Sequence, residues 1–175
     1  MALQYLIANG ATQTTAGFVK MATSNAIKTL LQLKFVATVV ARIIEWGFSA
    51  DGSAAATPGL VELIETGTVP ATGLTAYATA DITRYNADAV LAGDPVTALI
   101  TVSTSTSGFN TSGGTEGSIT ATRNLDSPQL IAPTTQFIKQ FPLGREPIIS
   151  PLNYMRIRTT FGTTVNCVAY VIVEI

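Results

Sequence analysis

A chain without histidine must do acid–base or nucleophilic chemistry through carboxylates, lysine, tyrosine or cysteine. This sequence of 175 residues holds eleven Asp plus Glu, ten Lys plus Arg, one Cys and no His. Ser-His-Asp and Cys-His systems and imidazole metal ligation are therefore excluded, and a single thiol makes neither a zinc knuckle nor an internal disulfide. Paired carboxylates remain, and Glu62 and Glu65 with Glu45 or Asp51 are the candidates for glycosidase-type acid–base work. On a strand, however, Glu62 and Glu65 point to opposite faces, so they are expected as solvated face residues. Asp81, Asp88, Asp94 and Glu116 stand singly, and no Asp-x-Asp-x-Asp-Gly run offers the clustered oxygens that calcium requires. Gly113-Gly114-Thr115-Glu116-Gly117 lacks the Gly-Lys-Ser/Thr ending of a phosphate loop, and no helix pattern follows it. No catalytic residue, cofactor or metal ligand is assigned, and the chain is not expected to be an enzyme.

The remaining conspicuous residues read as structure. Cys167 lies in the strand-like run Val165 to Ile175, where a thiol behaves as a small core hydrophobe. Trp46, the sole tryptophan, sits in the most strand-like segment and is expected in the core; Tyr5, Tyr77, Tyr85, Tyr154 and Tyr170 are too dispersed to outline a sugar-binding groove. Arg156 and Arg158 share one strand face and need carboxylate or carbonyl partners. Arg145 and Glu146, between Pro142 and Pro147 with Gly144 alongside, form a charged pair on a fixed backbone, suited to a structural role or a subunit contact.

These residues need strands to position them. The chain is rich in Thr, Val and Ile, whose branched side chains favour a pleated surface over a helix. Val39 to Ser49 carries apolar groups on both faces, as a central strand of a two-layer structure does, and Asp51-Gly52-Ser53 supplies a turn after it. Met155 to Thr159 and Val165 to Ile175, joined by Phe161-Gly162-Thr163-Thr164, predict a closing hairpin. Further strands are expected at Phe18 to Ala22, Ile27 to Leu33, Val61 to Glu65, Thr75 to Arg84, Ala98 to Ser103, Gly117 to Arg123 and Gln136 to Phe141. Ser24 to Lys34 also has helical spacing at Ile27, Leu30, Leu31 and Lys34, but its alternation fits a strand and its neighbours are β-rich. Asp81 to Leu91 reads as a polar loop in preference to a short helix. Ser103 to Gly117, all Ser, Thr, Gly and Asn apart from Phe109 and Glu116, predicts an exposed loop. The fold class that follows is all-β, a jelly-roll-like antiparallel β-sandwich.

Composition bounds the partners. Net charge is −1 with 12% charged residues, too little cationic surface for nucleic-acid binding. The apolar fraction is 47%, yet no run approaches the roughly 20 residues of a membrane span, so neither a nucleic acid nor a membrane is expected as partner. The opening residues carry no basic stretch or continuous apolar run of the secretory kind. So few charges on so apolar a chain favour self-association. Residues 21–175 make one domain. Residues 1–20 are either its first strand or an arm, because the polar stretch Ala8 to Gly17 sets Leu3, Tyr5, Leu6 and Ile7 apart. As an arm these four would add to a partner's sheet edge.

Four segments in order carry a family resemblance: Arg42-Ile43-Ile44-Glu45-Trp46-Gly47-Phe48-Ser49-Ala50-Asp51-Gly52; Glu116-Gly117-Ser118-Ile119-Thr120-Ala121-Thr122-Arg123; Phe141-Pro142-Leu143-Gly144-Arg145-Glu146; and Met155-Arg156-Ile157-Arg158 followed by Val165-Asn166-Cys167-Val168-Ala169-Tyr170-Val171. From about residue 18 onward the chain resembles the head decoration (cement) proteins and related small virion proteins of tailed bacteriophages. The resemblance implies a jelly-roll-like sandwich, a homotrimer bound to the major capsid protein at threefold positions on the outer surface of the virion, made in the host cytoplasm. A tail or head-to-tail component is the alternative within the same particle, and a carbohydrate-binding β-sandwich module the alternative outside it.

Overall fold

The β-branched and aromatic runs form two antiparallel sheets, and most connections cross from one sheet to the other. The computed structural model describes residues 2–11, 17–51, 57–85, 100–104, 106–111, 114–116, 120–131 and 136–175. Its strands are β1 (Gln4–Ala8), β2 (Met21–Ala22), β3 (Ile27–Lys34), β4 (Ala41–Asp51), β5 (Gly59–Thr66), β6 (Thr75–Ala76), β7 (Ile82–Arg84) and β8 (Gly108–Phe109). They continue with β9 (Ala121–Asp126), β10 (Gln129–Leu130), β11 (Gln136–Gln140), β12 (Ile148–Ile149), β13 (Tyr154–Thr160) and β14 (Asn166–Glu174). Sheet A runs β11-β4-β14-β1-β7, with β12 on β4 and β2 on β14; sheet B runs β10-β5-β13-β3-β8-β6, with β9 on β5. With β9 and β10 taken as one interrupted partner of β5, the eight principal strands interleave 1-8-3-6 in sheet A and 2-7-4-5 in sheet B. That is jelly-roll connectivity, and the all-β sandwich expected from the sequence is the observed fold.

The two inner faces supply the core. Tyr5 and Ile7 of β1, Leu31 and Leu33 of β3, Val61 and Leu63 of β5, Met155 and Ile157 of β13 and Val171 and Val173 of β14 are all fully buried. In β4 the alternation breaks. Ile43 pairs with Val173 and Glu45 with Ile172, so Ile44 is an extra residue, and the core set changes parity from Ala41 and Ile43 to Trp46, Phe48 and Ala50. A strict alternation over Val39 to Ser49 places Arg42, Ile44 and Trp46 on one face; the bulge separates them. Trp46 is in the core, its ring 5.0 Å from that of Phe137 and its indole N–H donating to Asp126 (3.1 Å).

Several expectations are corrected. β13 and β14 do not form a hairpin: β13 pairs with β3 and β5, β14 with β1, β4 and β2, and residues 161–165 arch over the end of the sandwich. The arch is held by Phe161, which turns inward to stack on Phe48 at 6.0 Å. Thr75 to Arg84 is not one strand but β6 in sheet B, a 3-10 turn at Thr79–Asp81 and β7 in sheet A. Phe18 to Ala22 shortens to β2, and among the described residues of Ala98 to Ser103 Ile100 makes an isolated bridge, to Phe35. Within Ser103 to Gly117 the expected exposed loop is interrupted by a buried stretch. Ser107, Gly108, Phe109 and Asn110 are buried, because Gly108 lets β8 lie against β6, where a Cβ would stand 2.3 Å from the Thr75 carbonyl oxygen. Residues 86–99, which include Asp88, Asp94 and the end of the Asp81 to Leu91 segment, lie outside the described residues, as do Gly113 and 117–119.

Candidate functional site

Two concavities gather side chains that sequence separation conceals. The first is a groove of about 220 Å³ on the outer face of sheet A, lined by Leu6, Phe18, Glu45, Tyr85, Tyr170 and Ile172. Strand register builds its floor: Leu6 of β1 stands opposite Ile172 of β14, which stands opposite Glu45 of β4. Next along the ladder Tyr170 faces Gly47, where an added Cβ would meet the tyrosine ring at 2.4 Å. Only glycine lets that ring lie down on the sheet. The Tyr170 hydroxyl donates to Glu45 Oε1 (2.6 Å), and burial, that hydrogen bond and the neighbouring carboxylate hold the phenol well above its ordinary pKa. Tyr170 therefore stays neutral at physiological pH and is no base. The groove is mainly apolar, with one carboxylate at its edge and two exposed rings, Phe18 and Tyr85, beside it.

The second is a polar recess of about 280 Å³ lined by Thr23, Lys28, Asn110, Glu116 and Thr164 among others. Its charged groups already have structural work. Glu116 accepts hydrogen bonds from the Thr29 amide and hydroxyl, both 2.6 Å, and the Lys28 ammonium donates to the Ala22 carbonyl (2.6 Å). Desolvation lowers the Lys28 pKa, opposed by Cys167 and Glu116.

Of the carboxylates singled out from sequence, Glu62 and Glu65 are buried, whereas Asp51 is half-exposed and pairs with Lys20. Glu62 takes a bidentate pair of bonds from Arg158 (2.7 and 3.1 Å), and both side chains are about nine-tenths buried. Glu65 accepts from Arg123 (2.5 Å) and Asn153 (2.6 Å). Burial alone would raise its pKa, but the hydrogen bonds from Asn153 and Ser150, together with Arg123, outweigh that and hold it below the ordinary value. Arg156, wholly buried, donates to the carbonyls of Val69 (2.6 Å) and Glu116 (3.1 Å). Gln32 likewise ties Ala71 and Thr106 to the sheet. Over Arg156 and Gln32 the outer face of sheet B is therefore roofed by its own connections, which is why a charge that alternation assigns to solvent is buried.

The residues assigned to partner contacts divide. Gln4–Ala8 lies between β14 and β7 of its own chain, with Tyr5 and Ile7 pointing into the core, and Leu3 is half-buried with its backbone paired to Ile175. Leu6 alone of the four contributes to the groove. Arg145 is exposed and Glu146 half-exposed, on a turn away from both concavities. The groove itself is invisible to sequence reasoning, since its lining comes from residues 6, 18, 45, 85, 170 and 172. Cys167 is buried, donates to the Met21 carbonyl (3.2 Å) and has its pKa pushed up to about 12 by desolvation, which makes it inert. Among the described residues no group of three His, Cys, Asp or Glu side chains assembles as metal ligands, and no helix is long and apolar enough to cross a membrane. No protein-family model, curated protein or solved structure matches the chain.

Proposed function

We propose that this chain is a structural, non-enzymatic virion protein that decorates and stabilises the outside of an icosahedral bacteriophage capsid, assembled as a homotrimer on the major capsid protein at threefold positions. The observation that carries the reading is the asymmetry of the sandwich. Sheet B closes its polar face with its own loops, whereas sheet A leaves an apolar groove open to solvent, the disposition of a subunit that meets other proteins. The four-segment resemblance points the same way, and the jelly roll is an architecture of viral shell domains, though by analogy of fold alone. A protein that binds only the assembled lattice stabilises it by mass action, about 2.7 kcal/mol per site at a hundredfold excess over Kd.

The test is density-gradient sedimentation of native particles, with the protein quantified in heads, tails and the soluble fraction. A fixed copy number with heads supports the proposal. Recovery with tails moves the protein to the alternative place in the particle, and recovery only as a free species overturns the virion reading. Glycan binding would then be tested through tyrosine emission from Tyr85 and Tyr170, since Trp46 is wholly buried and would not report it.

A further inference from the structure

The turn after β11 presents an unusual side chain. The Arg145 amide donates to the Pro142 carbonyl (2.9 Å) and Gly144 has φ +79°, which makes Pro142–Arg145 a tight turn with glycine where a positive φ is required. Leu143 stands at its tip, 96% exposed, between two prolines that limit the backbone. Single exposed leucines are ordinary on protein surfaces. This one is preorganised, and beside it Arg145 is exposed, with no carboxylate partner among the described residues.

We propose that this turn docks into the sheet A groove of a second copy of the chain, with Leu143 seated among Leu6, Tyr170 and Ile172 and the Arg145 guanidinium against the Glu45 carboxylate. The charges are complementary. Glu45 uses Oε1 for Tyr170, and among the described residues Oε2 has no partner. The size fits as well, since the groove of about 220 Å³ takes a leucine side chain and a closed cavity of about 150 Å³ already holds benzene. A rigid turn loses little conformational freedom on docking, which favours it over a mobile loop as the inserted element. Knob and groove are different surfaces of one chain, so the contact is heterologous and closes into a ring when the rotation between copies is a simple fraction of a turn. The inference deepens the proposed homotrimer by naming the contact that joins its copies.

The test is sedimentation velocity of the full chain over a wide concentration range. The wild type is expected to self-associate, and Leu143→Ser to weaken association roughly 10- to 100-fold, the loss for uncovering one leucine. At concentrations where the wild type is monomeric its melting temperature should not move, because there the side chain touches solvent alone. Arg145→Glu and Glu45→Lys should each weaken assembly, and the two together should restore it, which a purely structural role for either residue would not produce. A monomer at every concentration, undiminished association of Leu143→Ser, or no restoration in the double variant overturns the contact. If the chain is monomeric in solution yet Leu143→Ser is lost from heads, the turn's receptor is the shell protein; that overturns this contact and leaves the decoration role standing. Assembly through this contact by a protein absent from particles gives the converse.

Discussion

The ion pair between Arg158 and Glu62 separates buried from exposed electrostatics within one molecule. Their side chains retain 11% and 10% exposure and are joined by two hydrogen bonds, whereas Lys20 and Asp51, also paired, retain 54% and 52%. Arg158→Met strands the buried Glu62 carboxylate without its partner. Breaking a buried pair from one side costs about 3–5 kcal/mol. At about 2–4 °C per kcal/mol for a domain of this size, the melting temperature should fall by about 6–20 °C. Lys20→Met should cost under about 1 kcal/mol, the range for solvent-screened pairs. Replacing both buried partners, Arg158→Met with Glu62→Leu, should recover most of the loss, because no unpaired charge is left. Urea unfolding of the four proteins, read by Trp46 emission, gives the comparison. Equal losses for Arg158→Met and Lys20→Met, or a double variant no more stable than Arg158→Met alone, would refute the account of this pair as a buried one.

Glu65 should contribute to the acid limb of stability. Its folded pKa lies below the ordinary 4.5, so its stabilisation is complete above that value and is lost as pH falls through the folded pKa; Glu65→Gln should flatten the loss of melting temperature below about pH 4.5. Cys167 should resist thiol reagents at pH 8 in the folded protein and react at once in denaturant, and native labelling at the unfolded rate would contradict its burial. Gly108→Ala should destabilise by about 3 kcal/mol, since the new methyl meets backbone of β6, which cannot rotate away; a cost under about 1 kcal/mol in urea titration would mean that β6 and β8 separate freely.

What the sequence discloses and what it conceals follow from the range of the forces involved. β3, β4, β13 and β14 are legible because branched and aromatic residues alternate within each, a local signal. The bulge at Ile44 is not, since it depends on how β4 pairs with β14, more than a hundred residues away. The hairpin expected at residues 161–164 fails for the same reason: a short turn between two strands suits a hairpin and an arch equally, and only long-range pairing chooses. Burial of Arg156 comes from the connections that bring Val69 and Glu116 over sheet B, and Glu65 is covered by Arg123, Ser150 and Asn153; the polar, glycine-rich composition around Val69 and Glu116 reads locally as exposed loop. The groove has the weakest signature of all, one or two residues from each of several distant segments, with Gly47 under Tyr170 as the nearest thing to a clue.

The placement of the last two strands bears on how the chain acquires its structure. β14 lies between β4 and β1, and β13 between β5 and β3, so each sheet lacks its middle until residues 154–174 are available. During synthesis the earlier strands have their flanking positions but no central partner, and Leu31, Leu63, Tyr5 and Phe48 face no completed opposite layer. Pairing so distant in sequence closes long loops before it gains contacts, which makes folding slow. A nascent or truncated chain lacking β13 and β14 would therefore be an unpaired, aggregation-prone intermediate, and holding it soluble until completion is a task for chaperones.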